Sequence, residues 1–236
     1  MAVVHSRRRY ADGKPKPAFR GALHAVVAGL LVLAVVANFF LVHLRLVRPR
    51  WGVVAFCLGK LASYGTSASL HRGAFCDLDS LTAALRRDLA AIPLSVGANS
   101  ACLARTPREA AAVLFATAVF FVANLSCVDR QLEGAVGLDT PRGDAPRQVV
   151  LAAQCAACYA HIYARRRAAD ALFLGNVGLV LLTLALSAPV SRAHAVEPVN
   201  DRVPWHRRGA WGYHEDMHVV LLVGDATMFL MVAGVM

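Results

Sequence analysis

The sequence predicts an all-α protein, a bundle of seven transmembrane helices with a cytoplasmic N-terminus. Of its 236 residues, 57% are hydrophobic, and the mean hydropathy is +0.50. The apolar residues collect in runs of roughly 17–25 residues with few charges, which is the length that crosses a bilayer as a helix. Segments that alternate apolar and polar residues are scarce, so a helical bundle is favoured over a β-barrel.

Seven apolar segments are separated by polar or proline-containing stretches. The predicted helices lie at about 21–46, 52–71, 88–104, 109–127, 147–164, 171–190 and 212–236. The third is the least regular, because Pro93 and Asn99 interrupt it, and a polar loop with Asp77 and Asp79 precedes it. The longest loop spans 128–146. Trp211 stands at the start of the last segment, where an indole suits the membrane interface.

The charge distribution indicates the orientation. Residues 1–20 are basic and predict a cytoplasmic tail, and 21–236 form one transmembrane domain. The apolar run after the tail is too long for a signal peptide. Lysines and arginines are commoner in the tail and in the loops after the second, fourth and sixth helices than in the other three loops. Cytoplasmic segments carry the excess of these residues, so an inward N-terminus is favoured. The net charge of +10 fits anionic lipid, since no basic run is interleaved with aromatic residues as nucleic-acid platforms require.

The last segment opens with two histidines at helical spacing. His214 and His218 are four residues apart, so both imidazoles lie on one helix face. A helix offers two nitrogens to a metal in this way. The spacing also arises by chance, so a third ligand from elsewhere in the chain is needed.

The topology brings a candidate third ligand to the same side of the bundle. His71 ends the second helix, Asp88 begins the third, and the two histidines begin the seventh. Three histidines with one open position form the zinc site that activates water. Asp88 then suits a proton acceptor, and Ser67, one turn before His71, suits a hydroxyl next to the site. The alternatives are an interfacial histidine at position 71, a helix N-cap at Asp88 and a serine bonded to its own helix.

Four segments resemble the hemolysin III family, within the superfamily of progestin and adipoQ receptors, with alkaline ceramidases as more distant relatives. They are Lys14-Pro-Lys-Pro-Ala-Phe-Arg20-Gly-Ala-Leu-His24, Ser67-Ala-Ser-Leu-His71-Arg-Gly, Leu85-Arg-Arg-Asp88 and Gly212-Tyr-His214-Glu-Asp-Met-His218. The resemblance covers both ends of the chain. The fourth to sixth helices match only as apolar segments.

The resemblance implies a seven-helix bundle with a buried Zn²⁺. Carried over from the adiponectin receptors, the metal ligands are His71, His214 and His218, and Asp88 and Ser67 surround the metal-held water. The implied activity is hydrolysis of a membrane lipid, a ceramide-like amide or an ester. The chain departs from the family pattern at three places, which are Leu89, Met228 and Ser100-Ala-Cys102, and it is identified as a divergent member.

Other functions remain open. The protein is alternatively a receptor or signalling protein with a structural zinc, or a cytolytic pore as the family name suggests. Cys155, Cys158 and His161 have a ligand-like spacing, but small residues at a helix–helix contact explain it as well. Asp225 lies deep in the last helix, where it either lines a cavity or pairs with a polar group such as Asn99 or Asn38.

Overall fold

The structure is a computed structural model. It describes residues 19, 21–45, 51–133, 145–166, 170–192, 203–206 and 212–233. The predicted tail 1–20, apart from Phe19, lies outside the described residues. So do residues 134–144 of the predicted long loop, and Trp211.

The described part of the chain is helical and contains no strand, which confirms the all-α prediction. Seven helices are found there, as predicted. They are α1 (Ala22–His43), α2 (Trp51–Arg72), α3 (Leu78–Ala101), α4 (Pro107–Leu132), α5 (Ala145–Arg166), α6 (Ala171–Arg192) and α7 (Tyr213–Ala233).

The predicted start of the third helix was wrong by ten residues. The helix begins at Leu78, because the Asp77 carboxylate caps it by accepting a hydrogen bond of 2.7 Å from the Ser80 N–H. This hydrogen bond holds the pKa of the Asp77 carboxyl below its usual value. Leu81 and Ala84 are buried against Leu70 of α2, so the first turns of α3 are anchored by packing as well. Asp88 therefore lies within α3 and is not its N-cap.

Helix α3 is the centre of the packing. It contacts α2, α4 and α5, while α1 packs on α2, and α6 packs on α7. The main apolar core joins α2, α3, α5, α6 and α7. Its buried residues are Phe56, Cys57, Cys102, Leu103, Cys158, Ile162, Phe173, Met228 and Met231. The three core cysteines are free and pack as small apolar side chains.

Two helices are long and apolar enough to cross a membrane, α1 with a mean hydropathy of 2.7 and α4 with 2.2. In the most apolar 18-residue stretch of each helix, the share of residues buried inside the protein is 0% for α1 and 11% for α4. Large side chains on these helices, such as Leu33 and Phe115, face outward. The core helix of a water-soluble protein would bury such a face, so these two helices favour association with a membrane.

Candidate metal centre

Three predicted ligands meet at one end of the bundle. His71 stands in the last turn of α2, and His214 and His218 occupy the first turns of α7. Each offers a ring nitrogen, and these nitrogens all lie within 4.8 Å of one another. The ring centroids of His71 and His214 are 4.9 Å apart, and those of His214 and His218 are 4.3 Å apart. This cluster can bind a metal ion.

Local contacts hold in place the end of α2 and the start of α7, which carry the histidines. Gly21, the residue before α1, has a φ of 71°, in the left-handed region that favours glycine. A Cβ placed there would lie 2.7 Å from the His71 Cβ, so the start of α1 lies directly against the end of α2. At the start of α7, the buried Glu215 carboxylate accepts a hydrogen bond of 3.0 Å from the Gly212 N–H and holds the first turn in place.

Ser67 and Asp88 lie next to each other. The buried Ser67 hydroxyl lies beside the Asp88 carboxylate across the α2–α3 interface. Arg147 of α5, also buried, interacts electrostatically with Asp88. The sequence did not indicate Arg147, because nothing in its own segment shows which helix it faces.

His24 is a residue of this site that the sequence reasoning missed as a functional group. It is 3% exposed, and its ring centroid lies 3.9 Å from that of His218. Neither of its ring nitrogens has a hydrogen-bond partner among the described residues. The only signal in the sequence was a single histidine in the first turn of an apolar helix. Its role could not be inferred from that position alone, because the residues that pack against it lie on other helices.

Asp225 pairs with groups that the sequence did not suggest. Its carboxylate accepts hydrogen bonds from Lys60 Nζ at 2.6 Å and from the Tyr64 hydroxyl at 2.5 Å. The structure shows neither of the suggested partners, Asn99 and Asn38, bonded to it. The Tyr64 ring lies 5.1 Å from the His24 ring. A column of polar side chains therefore leads from the histidine cluster into the bundle.

The remaining candidates lie elsewhere. Cys155, Cys158 and His161 do not belong to the metal-ligand group found among the described residues. Cys158 is part of the apolar core, and its thiol lies 3.7 Å from the Val96 carbonyl oxygen. Asp216, in the first turn of α7, accepts a hydrogen bond from the Trp205 indole at 3.1 Å and lies 2.6 Å from His206 Nε2.

No protein-family model matches this chain, and no curated protein matches it significantly.

Proposed function

We propose that this is a seven-span membrane protein of hemolysin III type that holds a zinc ion near its cytoplasmic face and hydrolyses a lipid amide or ester. Seven long helices in the described residues, two of them with outward apolar faces, support the membrane placement. The four sequence segments that resemble the family support the assignment to it.

The single observation that carries the proposal is the convergence of His71, His214 and His218. Nitrogens around a tetrahedral zinc lie about 3.3 Å apart, given Zn–N distances of about 2.0–2.1 Å. The three imidazoles, within 4.8 Å of one another, fit that arrangement with a small side-chain adjustment. Three histidines leave one coordination position open. A zinc ion held there lowers the pKa of water and polarises a carbonyl group.

The chain's own residues have distinct roles in this proposal. Asp88 accepts a proton at its carboxylate and returns it to the leaving amine or alcohol. In this proposal the hydroxyl of Ser67 orients that carboxylate, and the buried Arg147 guanidinium places a positive charge near it. His24 lines the site beside His218. A lipid with its acyl chains in the bilayer reaches the cluster from between the helices.

The first test is the metal content of the detergent-purified protein. We expect about one zinc per chain, and none in the double variant His214→Ala/His218→Ala. His43→Ala is the matched control, because His43 is exposed at the opposite end of α1 and should leave the zinc unchanged. Wild-type protein without metal, purified in the presence of zinc, would overturn the proposal.

Catalysis is tested by Asp88→Asn in an assay of ceramide and ester hydrolysis. We expect this variant to keep its zinc and to lose turnover by about 10²–10⁴-fold, the usual contribution of a general base. Zinc-loaded wild-type protein without turnover on any lipid amide or ester would contradict the hydrolase.

A receptor with a structural zinc is the second candidate. The observation in its favour is that the metal cluster joins the end of α2 to the start of α7 and therefore holds two helices together. His71→Ala separates the two functions. Loss of the folded state indicates a structural metal, and loss of turnover with the fold intact indicates a catalytic one.

A further inference from the structure

A cavity lies between α3, α4 and α5, away from the histidine cluster on α2 and α7. Its volume is about 320 Å³, at the lower end of the range for ligand pockets. Its lining is mostly apolar, and Gly97, Val113, Ala116, Phe120 and Ala157 contribute to it. None of its lining residues belongs to the proposed metal site.

The cavity is a groove, because short side chains line it on both α4 and α5. Ala112 and Ala116 are one turn apart on α4, and Ala157 lies on α5. All three are exposed, so the groove opens sideways at the surface of the bundle. In a membrane this opening faces the lipid chains, and an occupant enters the groove from within the bilayer.

The groove extends over about half the thickness of a membrane. Along α4 it runs from Glu109 in the first turn to Phe120 near the middle of the helix. Eleven residues separate these two positions, a rise of about 16 Å at 1.5 Å per residue. The hydrocarbon core of a bilayer is about 30 Å thick, so a chain in the groove belongs to a lipid of one leaflet. That leaflet lies opposite the metal cluster, because α4 begins where α3 ends.

The mouth of the groove, at the start of α4, is basic. Arg108 precedes Ala112 by one turn, on nearly the same face of α4. Both oxygens of Glu109 are occupied, since Oε1 forms an ion pair with Arg165 and Oε2 accepts a hydrogen bond of 2.8 Å from the Arg105 N–H. Arg105 and Arg108 are exposed. Three arginines against one glutamate leave the mouth positively charged, and the complementary group of a membrane lipid is a phosphate.

We propose that this groove binds an anionic glycerophospholipid, such as phosphatidylglycerol, from the leaflet opposite the metal cluster. One acyl chain lies between α4 and α5 and reaches Phe120, where the apolar lining holds it by burying its surface. The phosphate accepts hydrogen bonds from Arg108 at the membrane interface. The inference uses the membrane placement proposed above, but neither the zinc nor the hydrolysis.

The test is native mass spectrometry of the full chain in detergent, titrated with phosphatidylglycerol or with phosphatidylcholine of the same palmitoyl and oleoyl chains. We expect phosphatidylglycerol to bind about fivefold more tightly, the effect of one arginine at a membrane surface. Arg108→Gln should remove this preference. Arg130→Gln is the matched control, because Arg130 is exposed near the other end of α4, and it should keep the preference.

Filling the groove tests the position of the acyl chain. Ala116→Phe should weaken the binding of both lipids by about tenfold, because the ring occupies the space of the chain. Ala157→Phe fills the groove from α5 and should act in the same way. Ala118→Phe is the matched control, since Ala118 is also exposed on α4 but does not line the groove. Unfolding temperatures show whether each variant keeps its fold.

Three results would overturn the inference. They are equal affinities of the two lipids for the wild-type protein, an unchanged preference in Arg108→Gln, and equal affinities of Ala116→Phe and Ala118→Phe. The double variant His214→Ala/His218→Ala loses the proposed metal ligands but not the groove, so it should bind phosphatidylglycerol like wild type. A failure of the zinc proposal is therefore distinguishable from a failure of this one.

Discussion

At the scale of single residues, the polar groups inside the bundle form a connected set. His24 contacts the rings of both His218 and Tyr64, and Tyr64 shares the Asp225 carboxylate with Lys60. Ionisable side chains in a membrane interior are retained when they pair with one another. This column therefore connects the histidine cluster to a buried ion pair between α2 and α7.

Lys60→Met should destabilise the protein by about 3–5 kcal/mol, because it leaves Asp225 charged and without its cation in the bundle interior. Thermal unfolding in detergent, followed by circular dichroism, measures the effect. The double variant Lys60→Met/Asp225→Leu should recover most of the loss, since no charge remains unpaired.

The exposed pair of Arg86 and Asp129 is the control for this measurement, with side chains 47% and 41% exposed. Water screens this pair, so Arg86→Met should leave the unfolding temperature nearly unchanged. If Lys60→Met were as mild as Arg86→Met, the buried pair would not contribute to stability.

His24→Phe should keep the zinc stoichiometry and change zinc affinity by less than about tenfold, because neither ring nitrogen of His24 is hydrogen-bonded to a ligand. His24 packs edge-on against the His218 ring, and phenylalanine preserves the shape without the nitrogens. Competition with a chelator measures the affinity. Complete loss of metal, as in the ligand double variant, would instead make His24 a ligand.

At the scale of elements, the approach of α1 to α2 depends on Gly21. Gly21→Ala should destabilise the protein by at least about 1–2 kcal/mol, because alanine is strained at a φ of 71° and its Cβ would collide with His71. Gly29→Ala is the control, since a Cβ there meets nothing within 4 Å and alanine favours the helix. Unfolding temperatures of both variants are compared, together with zinc content, which should fall only in Gly21→Ala.

The number of helices was predictable because polar or proline-containing stretches separate seven segments of the sequence, although among the described helices only α1 and α4 are both long and strongly apolar. The start of α3 was missed because it depends on a cap at Asp77 and on packing of Leu81, while its composition resembles a polar loop. Pro93 has no N–H to donate to the Leu89 carbonyl four residues earlier. The helix continues through it, and that carbonyl instead accepts a hydrogen bond of 3.0 Å from the Asn124 side chain of α4.

Residues of the candidate site were predictable only in two cases. Either they share one face of a helix, or the alternating direction of the helices places them at the same end of the bundle. The spacing of His214 and His218 indicates one face, and alternation of the helices places His71 at the same end. The partners of Asp225 and Asp88 were not predictable in this way. Lys60 and Arg147 lie on other helices, and which side chains meet across an interface is decided by the rotation of each helix in the bundle.

At the scale of the whole molecule, the outward apolar faces of α1 and α4 require either a bilayer or another protein to cover them. A seven-span bundle has its termini on opposite sides, and consecutive loops alternate between the two sides. The loop that follows His71 at 73–77 and the segment 203–206 before His214 must then share one side, and the loop at 102–106 must lie on the other.

Topology reporters test this arrangement in a bacterial host. A fluorescent protein fused after Asp77 or Pro204 should fluoresce, because the predicted cytoplasmic side lets it fold, and phosphatase fused after Arg105 should be active outside. The swapped fusions are the controls and should be silent. Fluorescence after both Asp77 and Arg105 would mean that α3 does not cross the membrane.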